Sequence, residues 1–154
     1  MMGYSVALTD DGSTALVGVP REKVFDADDE SGHEATGSVL VFERESGPWS
    51  WQTKLTVDET DEYRTLGGSV SIAADGSTAV VGTTTPKTKT ETVPAYMYTR
   101  SNGKWFREGT LGPSGGGEDE THMFDHWVTL SDDGKTVFLS RTGYEFVGSA
   151  YVFT

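Results

Sequence analysis

The sequence repeats itself, and this repeat restricts the folds open to the chain more than any other feature. The segment from Gly3 to Gly18 recurs from Gly67 to Gly82, and again in a weaker form from Asp125 to Ser140. A supersecondary unit repeated at long intervals is typical of stacked or radial repeat architectures. We therefore expect one structural unit built about three times.

Each unit has the pattern of four short β-strands. The first two strands are joined by Asp-Gly at residues 11–12, 75–76 and 133–134, and this pair between β-prone runs predicts a hairpin. The strands predicted for the first unit are Ser5–Leu8, Thr14–Gly18, Ser38–Glu43 and Trp49–Leu55; those matching its third and fourth strands later in the chain are Ala95–Thr99, Trp105–Leu111 and Ser149–Phe153. No stretch has helical periodicity.

The second strand of the unit, Thr14–Gly18, is small or apolar on both faces. A strand that is covered on both faces can be apolar throughout, whereas a strand at the surface alternates apolar and polar residues. Antiparallel four-stranded sheets packed between neighbours are found in β-propellers. The predicted fold is therefore all-β: propeller blades of a single repeat domain (1–154), with unit one over 2–65, unit two over 66–123 and a partial unit three over 124–154.

These units resemble the FG-GAP repeat family, whose blades are similar to those of the integrin α-subunit propeller. The first unit matches at Met2–Leu8, Gly18-Val19-Pro20 and Gly37–Phe42. The second keeps Leu66–Val70 but has Thr83-Thr84 in place of Ala-Pro. The third departs furthest, and matches again at Gly148–Phe153. The resemblance covers nearly the whole chain and, with the acidic composition, points to a haloarchaeal type.

The resemblance implies a non-enzymatic module for adhesion or protein and glycan binding, located outside the cell or at its surface, with calcium held in loops of some blades. A fold alone does not establish an activity. The alternatives are a purely structural fragment of a larger cell-surface protein and, less favoured, a hydrolase-associated propeller. The residues themselves present no repeated acid/base pair, and none is predicted to be catalytic or to bind an organic cofactor.

The third unit stops after its third strand at Phe153, and propellers close with about four to eight blades. Two expectations follow: the chain is a fragment of a longer propeller, or it completes a propeller by self-association. The first is favoured. In either case the first unit and the partial third unit of this chain would expose strand edges and apolar surface, which invite pairing with another chain.

Charge narrows the choice of partners. The chain has 24 acidic and 12 basic residues, a formal net charge of −12, which disfavours nucleic acid and anionic membranes and favours cations or concentrated salt. It has no cysteine for a disulfide or a thiolate metal site. No run is long enough for a membrane-inserted helix, and the N-terminal residues do not have the pattern of a signal peptide.

The best candidate metal site is the loop containing Asp26, Asp28 and Glu30, at alternate positions with hard oxygen ligands suited to calcium. The alternative is a solvated acidic loop, because Ser31 stands where a calcium loop needs glycine. The acidic runs 58–62 and 118–120 are interpreted as solvated surface, and His122 with His126 as too far apart in an extended chain to share an ion.

The tryptophans offer a candidate sugar-stacking surface. Trp49 and Trp105 occupy the same position in the repeat, so packing of the outer strand is the favoured interpretation for both. Trp51 corresponds to Arg107 and is the more plausible exposed ring. Trp127 stands where the other units have serine, and either fills space or lines a channel or an interface.

Overall fold

The computed structural model describes residues 2–20, 22, 37–57, 65–84, 95–112, 123–143 and 148–154, and within these ranges every regular element is a β-strand. The strands are β1 (Val6–Leu8), β2 (Thr14–Val19), β3 (Ser38–Glu43), β4 (Ser50–Leu55), β5 (Thr65–Ile72), β6 (Thr78–Thr84), β7 (Ala95–Ser101), β8 (Lys104–Leu111), β9 (Met123–Leu130), β10 (Val137–Gly143) and β11 (Gly148–Phe153). The all-β prediction is confirmed. These ranges contain no helix that could cross a membrane.

The strands form three antiparallel sheets, each following chain order. The first sheet is β1-β2-β3-β4, the second β5-β6-β7-β8, and the third β9-β10-β11. The predicted third strand of the first unit, Ser38–Glu43, has the predicted bounds, and most others differ from prediction by one or two residues at an end. The first two sheets have a bulge at the same place between their last strands, at Val41/Phe42 and at Met97/Tyr98.

The Asp-Gly turns are built alike in all three sheets. Gly12, Gly76 and Gly134 have φ values of 64°, 70° and 71°, a region that glycine occupies without steric cost. The hairpin between β7 and β8 has positive φ at both Asn102 and Gly103, the backbone of a type I′ turn. The hairpin signals in the sequence therefore correspond to actual turns.

The sheets stack face to face, with the second sheet covered on both sides. Between the first and second sheets lies a core that includes the fully buried Leu16, Val41, Leu66 and Tyr96. Between the second and third sheets lies a core that includes Val80 and Leu139. Along β6, Ala79 and Val81 contribute to the first of these cores and Val80 to the second, which explains why this strand is apolar on both faces at its centre.

Hydrogen bonds also join neighbouring sheets, close to their first strands. The Ser5 hydroxyl donates to the Gly67 carbonyl (2.9 Å). In the next pair of sheets the backbone N–H groups of Val128 and Leu130 donate to the hydroxyls of Ser69 (3.1 Å) and Ser71 (2.9 Å). Short hydroxyl side chains in or just before the first strand of a sheet thus satisfy backbone groups on the following sheet.

Candidate functional site

The outer side of the first sheet is an apolar surface that no described element covers. Its cross-strand neighbours run in two rows, Val6–Val17–Leu40 and Leu8–Ala15–Phe42, and we call these six residues the leading face. Val6 is 68% exposed and Leu8 59%. Soluble monomers rarely expose contiguous apolar patches of this kind without an interaction to account for them.

The outer side of the third sheet is a second uncovered surface. Its rows are Trp127–Ser140–Ala150 and Thr129–Phe138–Val152, and we call these six residues the trailing face. Trp127, Phe138 and Val152 are all more than half exposed. Trp127 was predicted either to fill space or to line a channel or an interface; the structure places its ring on this open face.

A polar recess lies at the β3–β4 hairpin, at one end of the first sheet. Its volume is ≈420 Å³, and it is lined by Glu43, Arg44, Glu45, Ser46, Gly47, Pro48, Ser50 and Gln52. It adjoins a second hollow that reaches the Asp11–Ser13 turn. Carboxylate, hydroxyl, amide and guanidinium groups therefore converge here on a single hairpin.

Arg44 fixes the shape of this hairpin. Its backbone N–H donates to Ser13 O (2.9 Å) and its Nε donates to Gly12 O (2.9 Å). Its guanidinium lies over the Trp49 ring, 4.9 Å from the centroid, within the range of a cation–π contact. The arginine therefore ties the β3–β4 hairpin to the β1–β2 turn and holds one face of the tryptophan.

The four tryptophans separate into different roles. Trp105 is half-buried against the core between the first and second sheets, as its predicted packing role requires. Trp49, its repeat equivalent, is 40% exposed, because no sheet covers that side of the first sheet. Trp51 is 59% exposed and lies opposite Phe42, and Arg107 takes the same place opposite Tyr98. The predicted exposure of Trp51 is confirmed.

The three Asp-Gly turns share one electrostatic feature. Two hydrogen bonds lower the pKa of the Asp11 carboxyl below 3.8. The bond from the Thr9 hydroxyl has the larger effect and the bond from Ser13 N the smaller. Hydrogen bonds from Ser77 lower the pKa of Asp75, and bonds from the Ser131 hydroxyl and Lys135 N lower that of Asp133. These carboxylates are therefore occupied in holding turns, which is a structural role.

Among the described residues, Glu22 is the remaining carboxyl with a shifted pKa. Partial burial raises its pKa, but hydrogen bonds from Lys54 Nζ (2.8 Å) and the Ser38 hydroxyl outweigh that effect and lower it. Ser38 is fully buried, so this group anchors the chain segment after β2 to β3 and β4.

Several predicted site residues lie outside the described part of the chain. These are Asp26, Asp28 and Glu30 of the calcium loop, the acidic runs 58–62 and 118–120, and His122. His126 is the fourth residue of β9, where it pairs with Arg141. Among the described residues no group of three histidine, aspartate or glutamate side chains could hold a metal ion.

Sequence reasoning missed the contact between Arg44 and Trp49. The signal was available: the two residues flank the hairpin turn at Gly47, so a tight turn brings them together. Comparison of the sequence with protein-family models and with curated proteins finds no match.

Proposed function

We propose that this chain is a non-enzymatic binding module of the FG-GAP-like β-propeller type, and that it holds a carbohydrate at the recess of the β3–β4 hairpin. The observation that carries the proposal is the exposed pair Trp49 and Trp51 on one side of the edge strand β4, with Ser50 and Gln52 of the polar recess on the other side of the same strand. Sugar rings offer apolar C–H faces and hydroxyl edges, which match aromatic rings and polar side chains respectively.

The β-propeller part of the proposal is supported by the arrangement of the sheets. Three sheets with the same strand order stack through equivalent faces, and the repeat places their first strands next to one another. Rigid stacked repeats keep binding loops in a fixed relation, which is a common use of such scaffolds. Location at the cell surface belongs to the same proposal and rests on the family resemblance.

An array of immobilised oligosaccharides, probed with fluorescently labelled chain in high salt, tests carbohydrate binding. We expect retention on a subset of glycans, and a loss of about tenfold in affinity for Trp51→Ala, since an aromatic stacking contact contributes about 0.5–1.5 kcal/mol beyond the apolar area that it buries. Phe106→Ala is the matched control, because Phe106 is similarly exposed (50%) on the outer strand of the second sheet.

Two outcomes contradict the proposal. If no glycan is retained, or if Trp51→Ala and Phe106→Ala bind as the unaltered chain does, the recess is not a sugar site and the purely structural alternative is favoured. If bound oligosaccharides are cleaved, with new reducing ends appearing in solution, the module is an enzyme and the non-enzymatic assignment is wrong.

Calcium bound by Asp26, Asp28 and Glu30 is a separate proposal, supported by the family resemblance and by their alternate spacing. A calcium ion held only by the folded chain raises the melting temperature, and the rise grows with the logarithm of the calcium concentration once the site is filled. We expect calcium to raise Tm relative to chelator, and Asp26→Asn with Asp28→Asn to abolish that rise. Equal Tm values with calcium and with chelator would exclude the site.

A further inference from the structure

The leading face is the repeat equivalent of a surface that is buried elsewhere in this chain. The second sheet packs on the first through the corresponding face, and the third packs on the second in the same way. The equivalents of Val6, Leu8, Ala15, Val17, Leu40 and Phe42 in the second sheet are Val70, Ile72, Ala79, Val81, Tyr96 and Tyr98, and all six are in the core against the first sheet. Within this molecule, therefore, a face of this composition packs on the sheet that precedes it in the chain.

The trailing face has the residues that such a partner presents. Phe138 stands at the position of Leu16 and Val80, both fully buried against the following sheet. Val152 stands at the position of Val41, which is also fully buried. Thr129 stands at the position of Ser71, whose hydroxyl accepts a hydrogen bond from the next sheet.

A ladder of backbone hydrogen bonds shows how one sheet follows another. Asp10 N donates to Ala74 O (3.3 Å), and Ala74 N, the repeat equivalent of Asp10 N, donates to Asp132 O (3.0 Å). Asp132 is the third equivalent in this series. Continued by one step, the ladder joins Asp132 N of one molecule to Asp10 O of another.

We propose that the leading face of one molecule docks on the trailing face of a second copy of this chain. The docking is head to tail: it uses two different surfaces, and it repeats the packing that already joins the three sheets. Such a heterologous contact closes into a ring or continues as a filament, according to the rotation between copies. The proposal goes beyond carbohydrate binding and does not depend on it. Docking would leave Trp51 exposed, as Arg107 is at the same position of an already covered sheet, and would half-bury Trp49, as its equivalent Trp105 is half-buried.

The proposed contact between two copies differs from the contacts between sheets within one molecule at the end where Trp127 and Ser140 lie. Trp127 replaces the serine of the other sheets, and Ser140 replaces Gly18, whose position leaves no room for a Cβ beside the next sheet. The second copy must therefore lie further away at that end. Gly3, the equivalent of Gly67, has no atom within 4 Å of an added Cβ, and Met2 is 62% exposed, so this end has space and apolar surface for the indole ring.

Salt dependence follows from the charge of the chain. Each copy has a formal charge of −12, so two copies repel each other at low ionic strength. At molar salt the Debye length falls to about 3 Å and this repulsion is screened. We expect association to strengthen by an order of magnitude or more between about 0.1 and 1 M salt, opposite to an assembly held by ion pairs.

The test is the solution mass of the full chain at molar salt over a range of concentration, with one charged variant on each face. Val6→Asp disables the leading face and Phe138→Asp disables the trailing face; both side chains are more than half exposed, so neither change disturbs a core within the molecule. Ser101→Asp adds the same charge at an exposed position outside both faces, and circular dichroism shows whether all three remain folded.

We expect the unaltered chain and Ser101→Asp to associate, and each face variant alone to be monomeric. An equal mixture of Val6→Asp and Phe138→Asp should form dimers, because each supplies the face that the other lacks. A chain that remains monomeric at every concentration overturns the proposal. So does an assembly that only one of the two face variants disrupts, since that pattern belongs to a symmetric contact between like faces.

Discussion

Gly18 of the first sheet lies against the backbone carbonyl group of Gly67 in the second sheet. A Cβ placed on Gly18 would be 3.0 Å from the Gly67 carbonyl carbon and closer still to its oxygen. The position demands glycine for space alone, because its φ lies outside the left-handed region. This contact sets the distance between the two sheets at their first strands.

Gly18→Ala should therefore destabilise the chain by about 3 kcal/mol, at the upper end of the range for overpacking, since a backbone group cannot move aside as a side chain can. Gly109→Ala is the control, because an added Cβ there meets nothing within 4 Å, and we expect it to change the free energy of unfolding by less than about 0.5 kcal/mol. Urea unfolding in high salt measures both. Similar values for the two variants would contradict the close approach.

Two leucines in adjacent strands of the first sheet should respond very differently to truncation. Leu16 is fully buried between the first and second sheets, and Leu8 is 59% exposed on the leading face. Leu16→Ala should cost about 2–5 kcal/mol through lost burial and a cavity. Leu8→Ala should cost under about 1 kcal/mol in dilute solution, where the leading face is uncovered. Equal losses would mean that Leu8 is buried within the single molecule.

The strands could be predicted from the sequence because the local signals are strong. The Asp-Gly turns and the recurrence of apolar runs locate strand pairs such as β1–β2 and β5–β6, and the repeat then aligns all three sheets. The stacking direction could not be predicted. The sequence around Val70 and Val80 does not indicate which of the two side chains packs on the first sheet and which on the third. That choice depends on the handedness with which whole sheets pack.

The site was predicted in part, for the same reason. The repeat alignment set Trp51 apart from Trp49 and Trp105, and the structure confirms its exposure. The different surroundings of Trp49 and Trp105 escaped prediction, because equivalent residues differ only in whether a sheet covers them. That is a property of the position of the sheet in the stack, and not of the residue or its neighbours in sequence.

Acid should weaken the Asp-Gly turns in a defined direction. The pKa values of Asp11, Asp75 and Asp133 are lowered below 3.8 in the folded chain by hydrogen bonds to the carboxylates, led by those from Thr9, Ser77 and Ser131 respectively. The folded chain then binds these protons less readily than the unfolded chain. Their contribution to stability is present above pH 3.8 and is lost as the pH falls through 3.8 and then through the lowered values.

Asp75→Asn tests this relation, because asparagine keeps an acceptor oxygen at the turn but does not titrate. We expect the unfolding free energy of the variant to fall less steeply below pH 3.8 than that of the unaltered chain. Denaturant unfolding at a series of pH values provides the measurement. Asp10→Asn removes a neighbouring carboxyl and serves as the control. If the unfolding free energy of Asp75→Asn fell with pH as steeply as that of the unaltered chain, the lowered pKa assigned to Asp75 would be contradicted.

The hydroxyl of Tyr98 joins the second sheet to the segment after β4 by donating to Thr56 O (3.0 Å). Tyr98→Phe removes this donor while preserving the ring, and Phe42 shows that the repeat accepts phenylalanine at this position. We expect a loss of about 1 kcal/mol in unfolding free energy. Tyr4→Phe, at a half-exposed position, should have almost no effect, and an equal loss from both would mean that the Thr56 bond contributes nothing.

Of the three described sheets, only the second has another sheet on each side, and this arrangement governs how the molecule opens. Amide protons exchange with solvent through local unfolding, and the cost of that unfolding rises with the number of interfaces that must separate. Opening the first or the third sheet separates one interface, while exposing the backbone of β6 requires the separation of two. The molecule should therefore lose its protection against deuterium from both ends inward, with the amides of Ala79 and Val81 the last to exchange.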